Sequence, residues 1–294
     1  MDALLNLLQA RPDIRIGVFF LLGLLVGSFL NVVILRLPPR LFHRWRAEAR
    51  ETLALPVATG KDAEPPPGIV RPPSRCRHCG QHLRPWHNIP LLSYLALRGR
   101  CGHCGAPISL RYPLVELFTA LAFAIVAWRF EIGPAALGAL IFTGLLIALS
   151  GIDLDHQILP DNLTLPGMWL GLVVNLGGTF TDPVTALIGA MAGYLSLWSV
   201  YQAFRLLTGK EGMGYGDFKL LALIGAWLGW THLPGAILIG SLLGALIGSV
   251  ALHVSGRNRQ TPIPFGPFLA AGGWIMLIAG DFLNRGYLNL SGMA

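Results

Sequence analysis

Two aspartates stand where apolar segments meet polar loops, and their type and placement suit hydrolytic chemistry. Asp153 ends an apolar stretch within SGIDLDHQILPD, and Asp217 stands in MGYGDF directly before another apolar stretch. A carboxylate beside a membrane segment is costly to bury, and such residues usually serve a function. Two neighbouring carboxylates share one proton, so one can act as a base on water while the other polarises a carbonyl. The pair therefore predicts peptide hydrolysis by an aspartate dyad, with no metal and no covalent intermediate.

The glycines around Tyr215 make the second aspartate more specific. Gly214 and Gly216 allow backbone dihedrals that other residues avoid, and they let an extended substrate approach closely. We expect them to support the catalytic loop. The alternative is that this segment is an ordinary loop in which Asp217 caps the following helix.

Other acids that abut apolar segments have simpler explanations. Asp155 is placed in the loop two residues after Asp153, and Asp161 is expected to cap the next helix. Glu116 lies a turn inside an apolar segment, where it serves either as a structural polar partner or as a substrate contact.

All four cysteines fall in one polar region, as two C-x-x-C pairs that are each followed by glycine. Two such knuckles supply four thiolates in a tetrahedron, as in zinc ribbons, and four protein ligands leave no open position on the metal. The pairs therefore predict a structural zinc site, and redox-active thiols are the alternative. The predicted ligands are Cys76, Cys79, Cys101 and Cys104; the nearby histidines 78, 82, 87 and 103 are spare candidates.

The composition indicates a membrane protein. Of 294 residues, 53% are hydrophobic and only 13% are charged, whereas soluble proteins carry about 25% charged residues. The net charge is +7, which suits either a nucleic-acid partner or basic cytoplasmic loops. The charge lies in the loops, so a nucleic-acid role is not needed and the expected partner is the lipid bilayer.

The apolar segments predict an all-α polytopic membrane protein with about eight spans. A span needs about 20 apolar residues, and two of the segments are short and glycine-rich. The segments are 16–35, 113–129, 135–152, 163–180, 183–207, 218–231, 233–254 and 266–284, of which 163–180 and 218–231 are the short ones.

The loops predict three regions and an orientation. We expect a first span within 1–36, a cytoplasmic zinc-binding domain over 37–112, and a protease domain over 113–294. A short polar helix is expected at 44–53 of the zinc-binding region. Of the 22 Lys and Arg residues, all but Arg11, Arg15, Arg129 and Arg285 lie on the side of the large loop. The positive-inside rule makes that side cytoplasmic and the termini periplasmic, and the loop charges at Arg257 and Arg259 agree.

Together, these motifs resemble the type IV prepilin leader peptidases, also called leader peptidase/N-methyltransferases. The likeness runs from the first span to the last. It is carried by GSFLNVVILRLP (27–38), the two CxxCG knuckles, RYPLVELFTA (111–120), IDLDHQILPD (152–161) with GMGYGDFKLLALIGAW (212–227), and PIPFGPFLAAGG (262–273).

The resemblance implies an aspartyl protease of the GxGD class in the bacterial inner membrane, with Asp153 and Asp217 as its catalytic pair. Its substrates would be prepilins and type II secretion pseudopilins, cut after a glycine that ends a short basic leader. Longer family members also methylate the new N-terminus with S-adenosylmethionine. The family links a Gly-Lys pair before the third cysteine to methylation; here the pair is Gly99-Arg100, and Arg and Lys are not interchangeable at a specific contact.

Three other functions fit parts of the pattern. A proton-coupled transporter also uses intramembrane acids, although broken helices at the midplane and internal repeats are its usual signs. A membrane-anchored zinc-binding interaction module would need the cysteines but not eight spans bearing GYGD. Another GxGD protease with unrelated substrates is the third.

Overall fold

The computed structural model describes residues 2–56, 60, 63–255 and 263–291. Within these residues the chain forms ten α-helices, and its only β pairings are two isolated bridges. The all-α prediction is confirmed. The helices are α1 (Asp2–Ala10), α2 (Pro12–Thr52), α3 (Leu92–Ala96), α4 (Arg111–Arg129), α5 (Pro134–His156), α6 (Asp161–Asn175), α7 (Pro183–Thr208), α8 (Tyr215–Leu228), α9 (Leu233–Ser255) and α10 (Gly266–Ser291).

Six of the described helices are long and apolar enough to cross a membrane, namely α2, α4, α5, α7, α9 and α10. The chain is therefore a multi-pass membrane protein. The two short predicted spans form α6 and α8, of 15 and 14 residues. At 1.5 Å per residue these helices are about 22 Å and 21 Å long, less than the roughly 30 Å of a bilayer core. The count of eight spans stays a prediction.

Helix α2 is longer than the sequence pattern predicts. Its 41 residues run through Pro38 and Pro39 without a break, so the separate polar helix expected at 44–53 is wrong: that segment is the distal part of α2. The Arg36 guanidinium donates hydrogen bonds to the carbonyls of Gly68 and Pro72, at 2.8 and 2.7 Å. A proline pair removes two N–H donors, and these contacts stabilise α2 just before the pair.

The chain divides into two compact units. Residues 11–125 form one, in which α2 and α4 are in close contact. A Cβ atom at Gly23 would lie 2.6 Å from the Cα of Ala120, and one at Gly27 would lie 2.8 Å from the Cα of Glu116. Glycine at both positions therefore allows the two helix backbones to touch.

The second unit contains α5 to α10, with α8 packed against α6, α7 and α10. Gly189 of α7 faces the Gly225 carbonyl of α8 so closely that a Cβ at either glycine would collide with the other backbone. The fully buried Asn175 at the end of α6 donates to the carbonyls of Ala226 and Trp227, at 2.9 and 2.8 Å. These contacts satisfy carbonyls that the end of α8 leaves free. The predicted loop charges Arg257 and Arg259 lie outside the described residues.

Candidate active site and metal centre

Asp153 lies in the last turn of α5, and only 5% of its surface is exposed. Its carboxylate oxygen Oδ2 accepts a hydrogen bond of 3.1 Å from the backbone N–H of Gly266, the first residue of α10. The helix ends directly afterwards, because Gln157 takes a left-handed conformation with φ of 54°. The start of one helix thus holds the carboxylate at the end of another.

Asp217 is the third residue of α8 and is 8% exposed. The residue before the helix is Gly214, whose carbonyl accepts the Asp217 backbone N–H at 3.2 Å. The alternative that Asp217 is the N-cap is therefore wrong. Its carboxylate lies in the first turn of α8, where the positive end of the helix dipole favours negative charge.

Leu159 connects the two aspartate sites. A Cβ atom at Gly216 would lie 2.8 Å from the Leu159 Cβ, and one at Gly266 would lie 3.2 Å from the Leu159 Cδ1 and 2.6 Å from the Asp153 Oδ2. Gly216, which precedes Asp217, and Gly266, which donates a hydrogen bond to Asp153, thus both lie next to Leu159. The two carboxyl groups are near enough to interact electrostatically. The structure therefore brings the predicted pair together.

The glycines of the GYGD segment have ordinary backbone dihedrals, and what matters is whether there is room for a side chain at each position. Gly214 has a φ of −78°, and neither it nor Gly216 is among the described glycines with positive φ. A Cβ at Gly214 would meet only Asp217 Oδ2, at 3.9 Å, an ordinary contact. At Gly216 there is no room for a side chain, because Leu159 occupies the space that a Cβ atom would need. The conformational explanation given by the sequence is wrong for both residues.

The neighbouring acids lie outside the pair. Asp155 is exposed and belongs to the last turn of α5 rather than to a loop. Asp161 is the first residue of α6, which Pro160 precedes as N-cap. The Asp161 carboxylate instead forms an ion pair of 2.6 Å with Lys219 of α8. The predicted capping role is wrong because the helix begins one residue earlier than expected.

The two cysteine knuckles have the same backbone geometry. The N–H of Cys76 donates to the Gln81 carbonyl, and that of Cys101 donates to the Ala106 carbonyl, at 2.9 and 2.8 Å. In both knuckles, the backbone N–H of the glycine that follows the second cysteine donates to the backbone carbonyl of the first cysteine at 2.9 Å. Both glycines have a φ of 70°. Backbone N–H groups of Cys79 and His78 lower the pKa of Cys76 to about 6. At Cys104 the backbone N–H of Ala106 acts in the same direction, but burial and the neighbouring thiols outweigh it and raise the pKa to about 11. A lower pKa favours the thiolate, which is the metal-binding form.

The four sulfurs form a compact set suited to a tetrahedral metal. They lie within 4.8 Å of one another, and those of Cys76 and Cys104 are 3.8 Å apart. Zinc–sulfur bonds of about 2.3 Å give a tetrahedron with edges of about 3.8 Å. The cysteines are free thiols. In the part of the chain that the structure describes, no histidine belongs to a group of this kind, so the four cysteines alone fit the metal.

Two family models match successive parts of the chain. The model of the bacterial peptidase A24 N-terminal domain matches residues 21–130, and that of the type IV leader peptidase family matches residues 140–249. A prepilin leader peptidase/N-methyltransferase of Pseudomonas aeruginosa is 53% identical over 98% of this chain and 99% of its own length. The chain belongs to the type IV leader peptidase family. Proteins of the same name from Stutzerimonas stutzeri (97% of each chain) and Xanthomonas campestris (92% of this chain, 94% of the relative) are also 53% identical. No solved structure matches the chain.

Membership of the leader peptidase family confirms the resemblance predicted from the motifs. It also decides against the transporter and the zinc-binding interaction module, because neither is a peptidase.

Three predicted residues of this leader peptidase belong to the unit formed by residues 11–125. Glu116 is 8% exposed, and its Oε2 accepts the backbone N–H of Leu91 at 2.9 Å. Gly99 has a φ of 68°, and a Cβ there would lie 2.8 Å from the Tyr94 hydroxyl. Arg100 is exposed, and its backbone pairs with Pro107 in the second knuckle. The structural role of Glu116 as a polar partner is thus present, whereas Gly99-Arg100 belongs to the frame of the metal site.

Sequence reasoning missed Gly266 and Leu159 as parts of the aspartate site. Gly266 lies 113 residues beyond Asp153, so no local spacing relates them. The PIPFGP segment that contains Gly266 carries part of the resemblance, but it has no titratable side chain that would mark it as part of a site. Leu159, which follows α5, has no polar group that would mark it as part of a site.

Proposed function

We propose that this chain removes the leader peptides of type IV prepilins and type II secretion pseudopilins, and then methylates the new N-terminal residue. Type IV leader peptidases with N-methyltransferase activity are the named relatives over nearly the whole chain. The observation that supports the catalytic assignment is the pair of buried carboxylates, Asp153 and Asp217, joined through Gly266, Gly216 and Leu159.

The dyad hydrolyses the peptide bond by moving protons between water and substrate. One carboxylate takes a proton from water as the water oxygen bonds to the scissile carbon, and the other donates its proton to the carbonyl oxygen. When this tetrahedral intermediate collapses, the carbon–nitrogen bond breaks and the leaving amine takes up a proton. Burial of both carboxyl groups keeps competing water away and strengthens these interactions.

The four thiolates are proposed to hold one structural zinc ion. The distances and the chemistry of the donors fit this metal. Its contribution would be folding free energy for the segment between α2 and α4, which has few helical residues of its own.

The methylation step uses S-adenosylmethionine. The amine nitrogen of the new N-terminus attacks the methyl carbon, the carbon–sulfur bond breaks, S-adenosylhomocysteine leaves and the amine loses a proton.

The chain is proposed to lie in the bacterial inner membrane with periplasmic termini and a cytoplasmic cysteine segment, because the basic residues concentrate on that side. This orientation would present the aspartates where a basic leader remains in the cytoplasm.

Leader removal from a purified prepilin tests the dyad. Asp153→Asn and Asp217→Asn preserve size and remove charge, and each is expected to lower the rate by at least about a thousandfold, because each carboxylate has its own proton to move. Asp155→Asn is the matched control: it changes an exposed acid two residues away and should cleave at the wild-type rate. Near-wild-type cleavage by either dyad variant would refute the pair and make Asp161 or Glu116 the next candidate.

A further inference from the structure

Four large apolar side chains are exposed in the segment between the two cysteine knuckles. Trp86, Ile89, Leu92 and Leu95 are 57%, 45%, 64% and 70% exposed, and together they are called the apolar patch. Leu92 and Leu95 are three residues apart in α3, so they share one face of that helix. A cluster of exposed apolar residues marks a surface that contacts a membrane or another protein.

Contacts with the rest of the unit hold α3 so that the apolar patch faces outward. The backbone N–H of Leu91 donates to the buried carboxylate of Glu116 in α4, at 2.9 Å. Leu91 has a φ of 56°, a left-handed conformation that a leucine adopts only at a cost. On a different face of α3, the Tyr94 hydroxyl lies 3.5 Å from the Ile108 carbonyl. These contacts use Leu91 and Tyr94 and leave the leucines of the patch exposed.

The apolar patch lies at the level where α4 enters the membrane. Glu116 is five residues, or about 8 Å, beyond the start of α4 at Arg111. A helical side chain points back toward the N-terminus of its helix, so the Glu116 carboxylate and the Leu91 N–H that it binds are near that start. Exposed apolar residues of α4 begin at the same depth and form one stripe along the helix, which includes Leu114, Phe118, Leu121 and Ile125.

Basic residues accompany the apolar patch. Between Glu64 and Glu116 the sequence contains seven arginines and no acidic residue, and the thiolates of the proposed metal site would offset only part of this charge. Arg84, Arg98 and Arg100 are exposed, and the Arg84 guanidinium lies 5.5 Å from the centre of the Trp86 ring. Tryptophan, exposed leucines and flanking arginines are the composition of segments that lie in the plane of a membrane surface.

We propose that the apolar patch inserts into the bilayer leaflet at the N-terminal end of α4, and that Arg84, Arg98 and Arg100 bind anionic phospholipid headgroups. Lipid is the occupant because the patch lies at the depth where α4 faces lipid, and because the charge around it is of one sign. The inserted patch attaches the cysteine knuckles, which lie on either side of it in the chain, to the membrane surface. This role is independent of the proposed peptidase and methyltransferase activities.

Photocrosslinking of the full-length protein tests the insertion, in nanodiscs that contain equal parts of phosphatidylcholine and phosphatidylglycerol. The photoreactive amino acid p-benzoylphenylalanine replaces Leu92 or Leu95, and mass spectrometry measures the yield of lipid adduct. Replacement of Phe118, on the exposed stripe of α4, is the positive control. The yield at both leucines should be close to that at Phe118, because an interfacial segment buries its apolar face about 5–10 Å into the boundary of the acyl chains.

Leu53, which follows α2, is the matched negative control. It is 66% exposed, as the leucines of the apolar patch are. The side chain of Asn31 in α2 donates to the Tyr112 carbonyl at the start of α4, at 3.1 Å, and Leu53 lies about 30 Å further along the chain of α2. The adduct yield at Leu92 and Leu95 should exceed that at Leu53 by at least about tenfold, because acyl chains do not reach that far from the bilayer.

The arginines are tested by the ratio of the two lipids in the adducts formed at position 95. The ratio should favour phosphatidylglycerol, and the double variant Arg84→Gln with Arg98→Gln should lower it by about fivefold per arginine. Arg44→Gln with Arg46→Gln makes the same change at exposed arginines in the distal part of α2 and should leave the ratio unchanged. Chromatographic behaviour and thermal unfolding in nanodiscs report whether each variant is folded.

Two results would overturn the insertion. The first is a yield at Leu92 and Leu95 no higher than at Leu53 in folded protein whose Phe118 position is labelled strongly. The second is a crosslink from both leucines to a second copy of this chain in place of lipid, which would make the apolar patch a subunit interface. An unchanged lipid ratio in Arg84→Gln with Arg98→Gln would refute the binding of anionic headgroups by these arginines.

Discussion

Alanine at position 266 would place a methyl group against a candidate catalytic carboxylate. The new Cβ would lie 2.6 Å from Asp153 Oδ2 and 3.2 Å from Leu159 Cδ1, whereas ordinary contacts begin at 3.4 Å. The carboxylate oxygen would therefore have to move by about 0.8 Å, which also lengthens its 3.1 Å hydrogen bond from the Gly266 N–H. A misplacement of about 1 Å in an active site can lower the rate by about a hundredfold, equivalent to about 2.7 kcal/mol in activation free energy.

The assay is the rate of leader removal from a prepilin by Gly266→Ala in nanodiscs, compared with Gly286→Ala. Gly286 lies in the same helix, and a Cβ there would meet nothing within 4 Å, so this control should cleave at the wild-type rate. We expect kcat/KM to fall by about ten- to a hundredfold for Gly266→Ala, with its thermal unfolding within a few degrees of the control. Full activity in Gly266→Ala, together with an inactive Asp153→Asn, would refute the idea that Gly266 positions the carboxylate.

Two further predictions concern stability and metal content. Asn175→Leu removes four hydrogen bonds of a fully buried side chain, so the free energy of unfolding in detergent should fall by about 2–4 kcal/mol; an unchanged unfolding curve would contradict this role. Cys104→Ser removes one of four thiolates and should abolish the bound zinc measured by elemental mass spectrometry, since a structural site needs all four ligands; a variant that keeps the metal would show that the ligand set is wrong.

Local patterns in the sequence were sufficient to predict the features that depend on residues close together in the chain. Apolar length indicated the helices, and the C-x-x-C-G repeats indicated knuckles whose sulfurs do approach one another. The two aspartates were recognisable because acids at the ends of apolar segments are costly. Each of these predictions depends on residues that are neighbours in the chain or on the free-energy cost of burying one side chain.

Long-range packing is what the sequence did not indicate. The bond between Gly266 and Asp153 and the contact of Gly216 with Leu159 depend on how helices meet. Beside the proline pair that α2 runs through, Arg36 donates to two carbonyls more than thirty residues away, which no local pattern indicates. Asn31 Oδ1 is unpaired because no hydrogen-bond donor of the described residues lies near it in the folded chain, which the residue type alone does not indicate. These are tertiary effects that overrule local preference.

The enclosure of α8 has a consequence for how the protein responds to its lipids. Every residue from Leu220 to Leu228 is buried, and the backbone of Gly225 touches that of α7. When a bilayer is thinner or thicker than a helix, the mismatch is absorbed by tilt of the helices that face the lipid. Because α8 is shielded by its neighbours, the depth of Asp217 is set by protein contacts rather than by acyl-chain length. The candidate catalytic carboxylate should therefore keep its position in membranes whose lipid composition changes with growth temperature or stress.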